Sequence, residues 1–442
     1  MPCIVIRRAK RGNATQSQRT LVSDKILNTE REIVVISCII FYEHPVRELD
    51  LCQKIKEKFA GNQSCSITAE VFSIRFQWID AIHFAKKNGV DLILLPWLRM
   101  QPHTDYMAPF IRINPNVSFM VLNHEQLGSE LSMRTLMPKT PFTTKNAYQC
   151  AWTQSFADEL IASGVPPEHI TITGNARLAA AKKATYSRSS LSQTYGLNPN
   201  KPWVLFCESR NIALFSEAPF VKKLLHYGLS QAEIKESQDY CAQSYLSFLQ
   251  ELRTLPRSVF SQVEFIYRLH PGQQLEEEIP SEVKLINDLP LSEWLTNVDL
   301  FMAAGSTSVF EAEIAQCPIL LHFPVEPDYK YIVKGTAEYP FVTHLADAFN
   351  RMPIRVDKTS EKVYEKYVGC IEEDVPEKIL LFALSIIDNK DMHHTAFDPI
   401  NHLTVTRKYL FEVVTKAMNR VGLVEKLRWP RSAERHLRDM PD

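Results

Sequence analysis

Four short groups of polar residues sit where apolar runs end, and each has side chains able to do chemistry. In residues 301–323, FMAAGSTSVFEAEIAQCPILLHF, an apolar run passes through Gly305, Ser306, Thr307 and Ser308 into a helical pattern, then into a second apolar run closed by Pro324. A hydroxyl-rich turn at a helix start offers unpaired N–H groups and the positive end of the helix dipole, and both favour a phosphate. Glu311 follows Ser308 by three residues, near the same helix face, where it can accept hydrogen bonds from a ribose. The same residues also read as an N-cap with an ordinary surface carboxylate. The second group, Arg268-Leu269-His270-Pro271, holds a cation and an imidazole stiffly at a strand end, suited to clamping a diphosphate or stabilising a departing phosphate. Glu208 with Ser209, Arg210 and Asn211 forms the third group, and His124-Glu125 the fourth. One carboxylate from each half of the chain, with His124 beside Glu125, suits acid–base or nucleophilic work at a shared cleft. Nothing in the sequence divides the roles between Glu125 and Glu208.

These groups need rigid elements to hold them. Residues 32–42, EIVVISCIIFY, form the nearly continuous β-branched run of a buried parallel strand. An amphipathic helix is expected at 46–59, strands at 67–72, 90–97 and 116–122, and a helix at 76–88. A short strand at 151–154, a helix at 156–163 and a strand at 170–173 complete the series. The turn-rich segment 182–201 marks a domain boundary. Beyond it come strand 202–207, a helical region over 230–255, strands 263–268 and 283–286, a helical turn at 291–295 and then residues 301–323. Amphipathic helices follow at 377–388 and 403–418. Such alternation implies two parallel sheets, each covered on both faces, with a ligand cleft at the carboxyl ends of the strands. The expected domains are a basic extension (1–30), an N-terminal domain (31–190), a C-terminal domain (200–390), and terminal helices with a basic tail (391–442).

Composition narrows the classes. A net charge of -1 on 442 residues argues against a broad nucleic-acid-binding field. Nine cysteines without a CxxC pair favour reduced thiols over disulfides or zinc, and Arg7, Arg8, Lys10 and Arg11 precede no signal-like hydrophobic run, so a cytoplasmic location is expected. No apolar run approaches the roughly 20 residues of a membrane helix. The tail beyond Arg420, with Lys426, Arg428, Trp429, Arg431, Arg435 and Arg438, has the composition that meets anionic headgroups at the inner membrane face, or that of a solvated charge run. GxGxxG, Walker, HExxH, nucleophile-elbow and DxD motifs are all missing, so fixed hydrogen-bond donors, with no metal and no cofactor, are expected to neutralise a leaving group.

At these residues the chain resembles the GT-B glycosyltransferases, in which two Rossmann-like domains face each other across a cleft. GSTSVFEAEIAQCPILLHF looks like their donor motif, with Gln316-Cys317 where a glycine is common before the proline. The pairing of His270-Pro271 with a Ser/Thr turn is similar to bacterial enzymes that use CMP- or CDP-activated donors, among them sialyltransferases and Kdo transferases of capsule and lipopolysaccharide assembly. His124-Glu125 and Gly174-Asn175-Ala176-Arg177 resemble further motifs of surface-carbohydrate proteins, Ala176 standing where those have proline. The resemblance covers about residues 32–340. It implies transfer of a CMP-linked acidic sugar such as Kdo to a glycan or lipid-linked glycan, without a metal. Alternatives on the same fold are a CDP-polyol phosphotransferase, a nucleotide-sugar epimerase, and a non-catalytic glycan-binding protein.

Overall fold

The computed structural model describes residues 35–63, 65–176, 184–210, 218–270, 275, 277–350, 362–369, 371, 374–388 and 400–420. The expectations for the N-terminal extension, Arg177, Asn211, Pro271 and the tail beyond residue 420 lie outside them.

Among the described residues, twelve strands form two six-stranded parallel sheets. The first sheet runs in the order β2 (Ser66–Ser73), β1 (Val35–Tyr42), β3 (Leu92–Leu95), β4 (Ser118–Val121), β5 (Ala147–Ala151), β6 (Ile170–Ile172). The second runs β12 (Phe341–Val342), β11 (Ile319–His322), β10 (Leu300–Ala303), β7 (Trp203–Cys207), β8 (Glu264–Arg268), β9 (Lys284–Leu285). The central strands are buried along their whole length, as continuous apolar runs between two helix layers must be. This is the GT-B arrangement of two Rossmann-like domains.

Register decides what leaves each sheet together. Ala303 pairs with Cys207 and Cys207 with Arg268, so three chains quit the second sheet at one level. In the first sheet Ile40, Leu94, Met120 and Tyr148 are in line, which brings Glu43, Trp97, Asn123 and Ala151 to a common edge. The two edges meet. The loop after β4 bonds the loop after β11 through Glu130 N to Tyr329 O (3.3 Å), Leu131 N to Lys330 O (3.5 Å) and Lys334 N to Gly128 O (3.0 Å).

Two sets of contacts bear on how the chain divides between the sheets. Thr185 and Tyr186 donate backbone N–H groups to Glu293 at 2.7 and 2.9 Å, and Leu191 and Leu197 join the core under the second sheet. Residues 185–197, within a segment whose polarity suggested a linker, thus pack with the second sheet. Helix Val375–Asp388 crosses back and buries Ile379, Phe382, Ala383 and Ile386 with Ile40, Cys52 and Tyr148 of the first domain.

The last described helix, His402–Arg420, docks by its polar face. Glu412 is fully buried and accepts from the N–H of Ile79 at the start of helix Trp78–Asn88, while Lys416 pairs with Asp80 at 2.7 Å. Its amphipathic pattern is thus turned inside out, with Leu403, Leu410 and Val414 more than half exposed. The sequence also hid helices Gln101–Ile113, Glu130–Leu136 and Ala218–His226, and it displaced β5, which ends at Ala151 where the strand was expected to begin.

The returning helix predicts a measurable coupling. Phe382→Ala should lower stability by about 3–5 kcal/mol in urea unfolding, by opening a cavity under the first sheet. A loss below 1 kcal/mol would show that the helix is not part of that core.

Candidate active site

The second-domain edge is built around a turn that only glycine fits. Gly305 has φ +73°, and a Cβ there would lie 3.2 Å from the Cβ of Ile332 and 3.4 Å from a ring carbon of Phe323. Ser306 then organises the start of helix Ser308–Ile314, its Oγ accepting from Ser308 N at 3.3 Å and from Ser308 Oγ at 2.7 Å. Thr307 is exposed. The two carboxylates of this helix part company. Glu313 accepts the N–H groups of Val363 and Tyr364 and the hydroxyl of Tyr339, so it is structural. Glu311 is half-buried, and its charge is felt by Arg268 and by the Cys207 thiol.

Arg268 lies two strand spacings, about 10 Å, from Ala303 across β7. Its terminal nitrogens are engaged: Nη1 donates to Asp288 O at 2.8 Å and Nη2 to Leu289 O. Leu289 has φ +65°, and Leu269 N donates to Asn287 Oδ1 at 2.8 Å, so Arg268 and its neighbour pin the 287–289 loop beside the site. The phosphate clamp expected of Arg268 thus gives way, in this geometry, to holding a loop. Burial lowers its pKa, and the neighbouring acids, Asp288 and Glu311 among them, oppose that. His270, half-buried, follows at the same edge.

Glu208 corrects the sequence reading. Its side chain is fully buried and its carboxylate is saturated, accepting from Ser209 N (2.9 Å), Arg210 N (2.8 Å), Arg210 Nε (2.7 Å), Arg210 Nη2 (2.8 Å) and the Tyr267 hydroxyl (2.9 Å). Burial alone would raise its pKa, but the Arg210 charge and these bonds hold it below the usual range. Arg210 is pinned in turn by Ser244 O at 2.8 Å and lies 4.9 Å from the Phe248 ring centroid. A carboxylate so enclosed has no path to a substrate, and acid–base work by Glu208 is ruled out on access. What it positions is Ser209, whose Oγ donates to Ala304 O at 2.8 Å and ties β7 to the glycine turn.

Across the cleft, Asn123 takes the left-handed conformation (φ +50°) and is bolted to β5 through its amide. Gln126 bridges Asn123 O, Cys150 O and Trp152 N at 3.0, 3.1 and 2.6 Å. Asparagine is among the few non-glycine residues that adopt this conformation readily, and the net holds it there. The adjacent predicted pair diverges: His124 is buried beside Asn175 and Ile379, whereas Glu125 reaches out and pairs with Arg47 at 2.8 Å. Arg47 and Asn123 were missed in the sequence, where an isolated Arg and Asn carry no signal.

Glu48, buried beside this loop, accepts from Glu43 N at 2.7 Å and His44 N at 3.3 Å, yet burial raises its carboxyl to about 7.

No family model matches the chain, and no curated protein does. Solved structures match along most of its length. The UDP-GlcNAc 2-epimerase of Methanocaldococcus jannaschii, in complex with UDP-GlcNAc and UDP, is 11% identical over 80% of this chain and 100% of that one, with a TM-score of 0.43. Anabaena HepE in complex with UDP-glucose is 13% identical (79% and 99% covered, TM-score 0.43), and S. aureus MnaA with UDP is 11% identical (79% and 97%, TM-score 0.45). No residue role is carried over from them.

Two outcomes are expected. Glu208→Gln should cost about 3–5 kcal/mol in urea unfolding, because it leaves a buried guanidinium without its counter-charge. For Glu48 the folded pKa stands above the unfolded 4.5, so its contribution is lost as pH rises from about 4.5 through 7. Glu48→Gln should therefore gain stability relative to the wild type between pH 5 and pH 8, and a pH-independent difference would refute the buried assignment.

Proposed function

We propose that the protein is an enzyme using a nucleotide-activated sugar, bound by its second domain and reacted with an acceptor at its first. One observation carries this reading. Three neighbouring strands end in register, and on that edge Gly305–Ser308 supply a close-approach turn with hydroxyls, Glu311 lies one turn on, and His270 flanks it. A nucleoside phosphate needs those groups: small residues and free donors for phosphate, a carboxylate for ribose, and a cationic or hydrogen-bonding neighbour where charge develops. The facing edge of the first domain offers Glu125, solvent-exposed and paired with Arg47, for proton transfer, since Glu208 is enclosed and His124 is buried.

Glycosyl transfer is the reaction this division of labour supports best. The sequence resemblance to bacterial enzymes that use CMP- or CDP-activated donors implies a CMP-linked acidic sugar such as Kdo as donor and a glycan or lipid-linked glycan as acceptor.

Calorimetric titration of the full chain with CMP, CDP and UDP tests the nucleotide site. Glu311→Ala should weaken nucleotide binding by about 10- to 100-fold, the loss of a charged hydrogen bond, with the melting temperature little changed. Unaltered affinity, or no nucleotide binding by the wild type, would overturn the reading. Nucleotide release from CMP-Kdo, CDP-glycerol or UDP-sugars, followed with and without acceptor, then separates transfer from polyol-phosphate transfer and epimerisation.

A further inference from the structure

Arg99 stands in the loop after β3, at the first-domain edge, 9% exposed, and its Nε is buried with no hydrogen-bond partner. Its main chain is fixed on both sides: its N–H donates to His103 Nδ1 at 3.1 Å, and its carbonyl accepts from Lys139 N at 2.8 Å. The scaffold beneath is equally firm. The His103 ring packs on Trp97 with centroids 4.1 Å apart, Trp97 Nε1 donates to Glu43 Oε2 at 2.7 Å, and Glu43 is bound by Arg75 Nε at 3.0 Å.

The acidic groups whose charges reach Arg99 are Tyr227, Glu125, Glu43 and Glu48. All three carboxylates are engaged elsewhere: Glu43 by Arg75 and Trp97, Glu125 by Arg47, and Glu48 by the N–H groups of residues 43 and 44. Among the described residues, none forms an ion pair with Arg99. A guanidinium keeps its charge even when desolvated, and an uncompensated buried charge is retained only at a cost in stability.

The surroundings add positive charge from the other domain. Helix Ala218–His226 is held over the loop by Lys139 Nζ, which donates to Tyr227 O, and its exposed Lys223 and His226 bear on His103. Arg99 therefore lies in the cleft, between a rigid first-domain edge and a cationic second-domain helix.

We propose that Arg99, with Lys223 as an outer contact, binds a phosphate group of the acceptor. This rests on the acceptor lying at the first domain, as in the proposed function, and it adds the acceptor's chemical class. A planar fork of donors carried on a fixed main chain suits bidentate binding of an oxyanion, and a second cation favours a multiply charged phosphate over a single carboxylate. The phosphate could belong to a lipid-linked or a soluble acceptor, and the two share this recognition.

The test uses the full chain and inorganic pyrophosphate, titrated calorimetrically in the presence of saturating nucleotide so that the donor site is filled. Pyrophosphate should bind, Arg99→Gln should weaken it at least tenfold, Arg99→Lys less, and Lys223→Ala about threefold. Nucleotide affinity should stay within twofold in all three variants. Should Arg99→Gln fail to fold, the exposed Lys223→Ala and the charge-preserving Arg99→Lys carry the same comparison. Pyrophosphate affinity unchanged by these substitutions, or abolished in the wild type by nucleotide, would overturn the proposal; failure of nucleotide to bind would instead strike the proposed function. Glycerol phosphate and vesicles of phosphatidic acid, compared at equal phosphate, then identify a soluble or lipid-borne source, and acetate binding as tightly as pyrophosphate would refute the phosphate assignment.

Discussion

The backbone bonds between residues 128–131 and 329–334 are the constraint on which the rest of the molecule depends. Each belongs to a loop leaving the carboxyl end of a strand, β4 in one domain and β11 in the other. A parallel sheet gathers all its functional loops at that end, so joining the two loops turns both collections toward each other. Helix Val375–Asp388 then closes the chain back onto the first domain's core.

Within that site, charges are sorted by how completely they are satisfied. Glu208 and Arg210 neutralise each other under the floor of the second domain, and their value is positional: Ser209 is held against Ala304 and the glycine turn. Glu313 and Glu311, two residues apart on one helix, divide in the same way between scaffold and cleft. On the opposite wall Glu43, Glu48 and Glu125 are each engaged, whereas Arg99 forms no ion pair among the described residues. The groups left with capacity for a ligand are fewer than the polar residues at strand ends.

That sorting explains how far the sequence could be read. Buried parallel strands announce themselves as unbroken apolar runs, so β1, β3, β7, β10 and β11 were legible, and with them the two-domain architecture. The glycine turn was legible because residue type and spacing carry its geometry. Glu208 was misread because a carboxylate two residues before an arginine looks the same whether it faces a cleft or lies beneath helix Gln231–Thr254, as it does here. Arg99 was invisible because its signal, a buried Nε without a hydrogen-bond partner among the described residues, exists only in space. Helix His402–Arg420 shows a third limit, since amphipathicity gives two faces without saying which one docks.

Hydrogen exchange on the full chain with and without nucleotide examines the central claim, that the second sheet's carboxyl edge is a nucleotide site. Saturating CMP or UDP should slow exchange in peptides covering residues 304–311 and 286–289, while the first-domain loop at 123–126 changes little. Protection confined to the first domain, or none at either edge at nucleotide concentrations in the millimolar range, would contradict the account.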